Sequence, residues 1–136
     1  MFELFEHTAD LGLRVHAGTL EELLAEAARG LLTMLVANPK TVRPVHARKV
    51  ELAGSEPGYL LFDWLNELLY AFETEKLLLA EFDVQLRNGK LTANCRGEPM
   101  DPTRHAMDHE VKAITYHQLR VEQTTAGWEA EVIVDI

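Results

Sequence analysis

The stretch Tyr59-Leu60-Leu61-Phe62-Asp63-Trp64-Leu65-Asn66-Glu67-Leu68-Leu69-Tyr70-Ala71-Phe72 carries an unusually wide apolar pattern. Leu60, Leu61, Trp64, Leu65, Leu68, Leu69 and Phe72 recur at i, i+1, i+4, i+5, i+8, i+9 and i+12. That spacing draws one broad stripe along an α-helix, with Asp63, Asn66, Glu67 and the following Glu73 on other faces. Ser55 is placed to cap the helix start, and Pro57 is tolerated in the first turn, where its missing N–H costs nothing. A stripe this large needs an apolar partner surface, and the alternating segments downstream supply one. The prediction is a central helix packed on a sheet, with its Trp and Leu residues in the core.

Before this helix, Phe2 to His7 alternates as a strand does. His7-Thr8-Ala9-Asp10 follows, and then Leu11, Leu13 and Val15 alternate with Gly12, Arg14 and His16 as a second strand. The HTAD stretch therefore lies at or between two strand segments. Thr19-Leu20-Glu21-Glu22 has the capping-box form, a hydroxyl followed three residues later by a carboxylate. Leu20, Leu23, Leu24, Ala27, Ala28, Leu31 and Leu35 then predict a first amphipathic helix over 20–35, stopped by Asn38-Pro39. A connection over 41–47 leads into a strand over 48–53. Lys40, Arg43, Arg48 and Lys49 form the one basic cluster, either a solvated loop or a contact for an acidic partner or RNA.

After the central helix, Val84 and Leu86 alternate with polar residues, Asn88-Gly89 has the form of a type I′ turn, and Leu91, Ala93 and Cys95 alternate on the return. Asp101-Pro102 reads as a helix start, opening a short turn through Met107. Composition returns to strand over 110–123, the chain turns over 124–127, and Trp128, Ala130, Val132 and Val134 alternate to the end. The expected architecture is an α+β two-layer sandwich. Two main helices, with a short third, pack on a largely antiparallel sheet in one domain over 1–136.

The 136 residues are 47% hydrophobic and 26% charged, ordinary for a water-soluble globular domain. The net charge of −9 opposes broad binding to phosphate backbones, which needs clustered Lys and Arg. The lone Cys95 rules out an internal disulfide framework and a Cys-based zinc site. No apolar run approaches the roughly 20 residues that span a bilayer, and the first ten residues are too acidic for a signal peptide. The expected location is the cytoplasm, with no membrane partner.

No Gly-rich phosphate loop, G-x-S-x-G, H-E-x-x-H or activated Cys is present. Polar groups at strand ends remain. Asp10, Asp135 and the α-carboxylate of Ile136 offer oxygens of the kind a hard cation takes from separate segments, if the first and last strands lie together. The plainer alternative has Asp10 capping a turn and Asp135 solvated. His7 and His117 suit metal ligation or proton transfer near neutral pH, or a structural hydrogen bond. His105 and His109, at i and i+4 beside Asp101-Pro102, read as a surface turn rather than a zinc pair. Lys112, among Val111, Ala113, Ile114 and Tyr116, either pairs with a site carboxylate, binds a phosphate, or faces outward on an edge strand, where it discourages edge pairing.

Taken in order, His7-Thr8-Ala9-Asp10-Leu11-Gly12, Lys112-Ala113-Ile114-Thr115-Tyr116-His117 and the closing Val134-Asp135-Ile136 resemble the archease family. Thr19-Leu20-Glu21-Glu22, Trp64-Leu65-Asn66-Glu67-Leu68-Leu69 and Gly97-Glu98 extend the resemblance over the whole chain. It implies a cytoplasmic, non-catalytic accessory protein of tRNA splicing. Its partner would be the RtcB-type RNA ligase, which joins ends bearing a 2′,3′-cyclic phosphate or 3′-phosphate to a 5′-hydroxyl. The accessory protein would promote guanylylation of the ligase by GTP and its multiple turnover, with RNA and GTP held by the ligase. The resemblance also implies a divalent cation, calcium in the family, on Asp10, Asp135 and Ile136. Lys112 would belong to the same functional surface, and His7, Glu98 and His117 match family motifs. Two other classes stay open: a chaperone or specificity factor for a tRNA methyltransferase or another RNA-modifying enzyme, and a metal-dependent hydrolase using His7, Asp10 and His117.

Overall fold

The computed structural model describes residues 1–7 and 10–136, with His7 described by its backbone alone. Its elements are β1 (Phe2–His7), β2 (Asp10–Ala17), α1 (Leu20–Leu35), β3 (His46–Ala53), α2 (Pro57–Glu75), β4 (Leu77–Arg87), β5 (Lys90–Pro99), β6 (Ala113–Ile114), β7 (Arg120–Thr124) and β8 (Gly127–Asp135). A short 3-10 turn, Pro39–Thr41, follows α1. Every strand pairing is antiparallel. The strands form two sheets rather than one. A five-stranded sheet runs β1-β2-β8, with β6 and β7 both on the far edge of β8, and a three-stranded sheet runs β3-β5-β4.

The two helices lie against both sheets. α1 touches β1, β2 and β8 on one side and β4 on the other, while α2 touches β6 and β7 as well as β3 and β4. The burial of α1 follows from this. Leu23, Leu24, Ala25, Ala27, Ala28, Gly30, Leu31 and Leu32 are all buried, so little of the helix faces water. A helix covered on nearly all sides belongs inside a core. α2 keeps the one-sided stripe its sequence predicts, burying Leu60, Leu61, Trp64, Leu65, Leu68, Leu69 and Ala71. The helices are tied where the Trp64 indole N–H donates to Leu24 O at 2.8 Å, inside the core.

Local signals behave largely as expected. Thr19 caps α1, its hydroxyl accepting from Glu22 N–H at 3.1 Å. The cap of α2 is Glu56 rather than Ser55, because its longer carboxylate reaches Gly58 N–H (3.1 Å) and Tyr59 N–H (2.7 Å). Asn88 and Gly89 adopt φ of 51° and 70°, the left-handed pair a type I′ hairpin requires. The Asp101-Pro102 turn does not extend to Met107. His105 folds its ring back so that Nδ1 accepts Asp101 N–H at 2.9 Å, and the chain then leaves helical geometry. The strand expected over 110–123 is broken into β6 and β7 by a turn in which Gln118 takes φ of 56°.

A buried carboxylate pins the segment after β5. Gly97 lies so close to the Leu78 carbonyl that a Cβ there would collide with backbone, next to the bulge of β4 between Leu79 and Glu81. Glu98, only 5% exposed, turns inward. Its Oε2 accepts Arg43 N–H at 2.7 Å and faces His105 Nε2 at 3.0 Å, while Oε1 takes the Arg104 guanidinium. Because His105 Nδ1 accepts a backbone N–H, its ring proton sits on Nε2 and points at Glu98. His105 is therefore 3% exposed and interior, not on a surface turn. The hydrogen bond from Arg104, with those from Arg43 and His105, overrides burial and lowers the Glu98 pKa to about 2. Burial pushes the Cys95 thiol the other way, up to about 12, which leaves it unreactive. Among the described residues no helix is long and apolar enough to cross a membrane.

Two outcomes follow for stability. Trp64→Phe is expected to cost about 2 kcal/mol, through lost volume and the lost hydrogen bond to Leu24, read as a lower urea midpoint at unchanged slope. Glu98, with its folded pKa held below the unfolded value of about 4.3, stabilises the fold fully above that pH and loses this contribution as pH falls towards 2. Glu98→Gln should be less stable than the native protein by about 3 kcal/mol at neutral pH. That gap should narrow as urea titrations are repeated at successively lower pH through the carboxylate range, and a constant gap would contradict the assignment.

Candidate functional site

The register of three strands builds the site. Asp10, first residue of β2, lies directly opposite Asp135, last residue of β8, and on the far side of β8 Ala113 of β6 lies opposite the same Asp135. Directly opposed residues on neighbouring strands share a face, so Asp10 and Asp135 project together. Lys112 N–H donates to Asp135 O at 2.8 Å, and Thr115 holds Ile133 O through both its N–H (3.1 Å) and its hydroxyl (2.8 Å). These bonds fix the short β6 and place Lys112 beside the paired aspartates.

The opposite wall hangs from a helix end. The last carbonyls of α1 have no partners within the helix. Met34 O accepts His109 N–H and Leu35 O accepts Asp108 N–H, each at 2.9 Å, while Ala37 N–H donates to Ala106 O at 2.7 Å. Asn38 adds two bonds to the same segment, at Arg104 O (2.9 Å) and Ala106 N–H (2.8 Å). Residues 106–109 are thereby laid across the end of α1, and an open groove of about 700 Å³ forms between Glu6, Asp10, Asp108, Glu110, Lys112 and Ile136. Four side-chain carboxylates, with the α-carboxylate of Ile136, face it against one lysine among the described residues.

Like charges opposed across a sheet repel, so Asp10 and Asp135 are suited to a bound positive charge. Two Asp carboxylates with the oxygens of Ile136 would offer an all-oxygen donor set. That set fits a hard divalent cation such as calcium or magnesium and not a thiolate- or imidazole-seeking metal. Among the described residues no three His, Cys, Asp or Glu side chains converge as a metal cluster. Two carboxylates alone under-coordinate such an ion, so the oxygens of Ile136 and water would have to complete the shell.

The other sequence candidates separate. Thr8, Ala9 and the His7 side chain lie outside the described residues; the His7 backbone pairs with Asp10. His117 is exposed in the turn after β6, where its N–H donates to Thr115 Oγ1 at 3.2 Å. Glu98 lies away from the groove, within the Arg104–His105 network that pins residues 101–105. His109 lines the groove and His105 is buried, so the two do not form a metal pair. In the basic cluster, Arg48 pairs with Glu75 and Lys49 with Glu51 at 3.0 Å, which leaves a partly neutralised edge rather than a basic patch. Sequence reasoning missed Glu6, Asp108 and Glu110. The one available signal was Asp108-His109-Glu110 standing just before Lys112.

Comparison with known proteins agrees over the full length. The model of the Archease protein family (MTH1598/TM1083) matches residues 2–136. The archease of Methanopyrus kandleri is 40% identical over 139 residues, covering 99% of each chain. That of Thermococcus kodakarensis is 39% identical over 140 residues, covering 99% of this chain and 98% of its own. The solution structure of Methanobacterium thermoautotrophicum protein 1598 superposes with a TM-score of 0.84 at 32% identity, covering 99% of this chain and 98% of that one. A Thermotoga maritima crystal structure, described as an archease and possible chaperone, shares the fold with a TM-score of 0.70 at 23% identity, covering 100% of this chain and 98% of that one. With the family model matching residues 2–136 and relatives up to 40% identical over nearly the full length, this chain belongs to the archease family.

Proposed function

We propose that this protein is a non-catalytic activator of an RtcB-type tRNA-splicing RNA ligase, which promotes the ligase's guanylylation by GTP and its multiple turnover. The observation that carries this reading is the register pairing Asp10 with Asp135, with Lys112 N–H on Asp135 O, in a chain of the archease family. Asp10, Asp135 and the oxygens of Ile136 would hold a divalent cation. When bound, the cation would offset the carboxylates and present positive charge to a phosphate oxygen or to a partner's carboxylate.

The chain's own residues do the rest. Lys112, exposed at the groove rim, extends an ammonium that can meet a triphosphate or an acidic side chain of the ligase. Asp108 and Glu110 keep the groove acidic, which raises the local concentration of cations and disfavours free RNA. The net charge of −9 complements a ligase surface made basic to hold RNA. In this reading the slow step belongs to the ligase, and the accessory protein supplies charge and positioning. The Thermotoga maritima structure is described as a possible chaperone, which favours a second reading, chaperone action, whose client we would take to be an RNA-modifying enzyme. That reading predicts that Asp10 and Lys112 are dispensable.

The test is multiple-turnover ligation by the RtcB-type ligase of the same organism, with GTP and a divalent metal, with and without this protein. The native protein should raise turnover by about tenfold or more, roughly 1.4 kcal/mol on the limiting step. Asp10→Ala and Lys112→Ala should remain folded and lose most of that gain, with guanylylated ligase falling in parallel. Full stimulation by both variants would leave the chaperone reading in its place.

A further inference from the structure

The outward side of α2 differs from an ordinary solvated helix face. Tyr59, Asp63, Asn66, Glu67, Tyr70 and Glu73 follow one another at helical spacing on the side turned from the core. Tyr59 and Tyr70 are 61% and 59% exposed. Tyr116, 55% exposed, comes from the turn after β6 and lies against the same helix. Its ring stacks on Phe62 with centroids 3.8 Å apart and meets Tyr59 edge-on at 6.0 Å. The Tyr116 ring packs this turn onto α2, yet each of the three tyrosines still leaves more than half of its surface to water. Exposed aromatic surface of this kind marks contact sites, and Tyr is enriched where proteins meet.

The charge around these rings is one-sided. α2 carries Asp63, Glu67, Glu73 and Glu75 and no Lys or Arg. Among the described residues only Glu75 of these has an ion-pair partner, Arg48. Arg120, beside Tyr59 and Tyr116 in a groove of about 420 Å³, is already engaged by Glu122, Glu129 and Glu131. A second groove of about 360 Å³, lined by Asn66, Glu67, Tyr70, Glu73 and Lys112, shares Lys112 with the acidic groove at Asp10. The tyrosine face and the candidate cation site are thus continuous. Single-stranded nucleic acid also stacks on exposed rings, but it needs cations along its backbone, and here the rings are bordered by carboxylates.

We propose that the α2 face, Tyr59, Tyr70 and Tyr116 bordered by Asp63, Glu67 and Glu73, docks a protein surface rich in Lys and Arg. Resting on the activator reading above, that surface is on the RNA ligase. Affinity then resides on α2, and Lys112 carries the contact across into the groove where the ligase is acted upon.

The test measures binding of the full chain to the ligase of the same organism by calorimetry at low and high salt, together with the concentration that half-saturates stimulated ligation. The double variant Tyr59→Ser/Tyr70→Ser alters exposed side chains and removes only the Tyr59–Tyr116 edge contact, so it should stay folded with a urea midpoint only slightly below the native one. Its Kd and half-saturating concentration should rise about 30-fold, with the rate at saturation unchanged. The conservative Tyr59→Phe/Tyr70→Phe should stay within about threefold. Glu67→Lys/Glu73→Lys should weaken binding and flatten its salt dependence. Asp10→Ala should bind normally and lower only the saturated rate. If the native protein binds and stimulates while the Ser variant binds within about twofold of it, the α2 face is not the docking surface and the activator reading survives alone. If the native protein neither binds nor stimulates an active ligase, both fall. Tight binding of single-stranded RNA that the Ser variant abolishes would replace the protein occupant with nucleic acid.

Discussion

The antiparallel pairing of β2 with β8 is the constraint on which the rest of the structure depends. It joins Asp10 to Asp135 and Ala17 to Trp128 in unbroken register, bringing segments from opposite ends of the chain to the centre of one sheet. Leu13, Val15, Ala130, Val132 and Val134 are buried through this pairing, and they form the floor on which α1 rests. The same register sets the charged end of the sheet. A shift of one residue would turn Asp10 and Asp135 to the opposite faces of their strands and bury their neighbours' polar surface in the core. Packing energy over the whole pairing therefore holds two like charges together at its end.

The helix between the sheets transmits that order to the far wall of the groove. α1 is buried on nearly all sides, and its unsatisfied last carbonyls recruit the backbone of residues 108–109. Glu98 secures the preceding segment from β5, linking Arg43, Arg104 and His105 around one interior carboxylate. A buried charge is tolerated because it is met on both oxygens by donors, one of them a guanidinium. The polar network and the helix end thus fix one loop from two sides, and that loop carries Asp108 and Glu110 to the groove.

Charge is distributed unevenly over the surface. The groove and the α2 face are both acidic, Lys112 stands where they meet, and the cations of β3 are drawn into pairs with Glu75 and Glu51. Under the proposed activator reading, an accessory protein acting on a partner that already holds RNA would gain from such a surface. It would meet the partner's basic residues without competing for the phosphate backbone.

Much of this was legible along the chain because it is local. The 3.6-residue stripe of α2, the capped start of α1, the Asn88-Gly89 turn and the alternation of β8 each depend on neighbours a few residues away, and each formed as read. The identities of Asp10, Asp135, Ile136 and Lys112 could be carried from motif resemblance, though their proximity could not be read from spacing. Partner choice among strands stayed hidden: alternation marks a strand but names neither its neighbour nor its sheet, so two sheets were read as one. The inward turn of Glu98 and His105, the splitting of β6 from β7, and the arrival of Asp108 and Glu110 at the groove were likewise settled only in three dimensions. Periodicity reports how a segment meets its own axis. Register, the burial of a charge and the assembly of a site depend on contacts between segments as distant as positions 10 and 135, where only the packed whole decides.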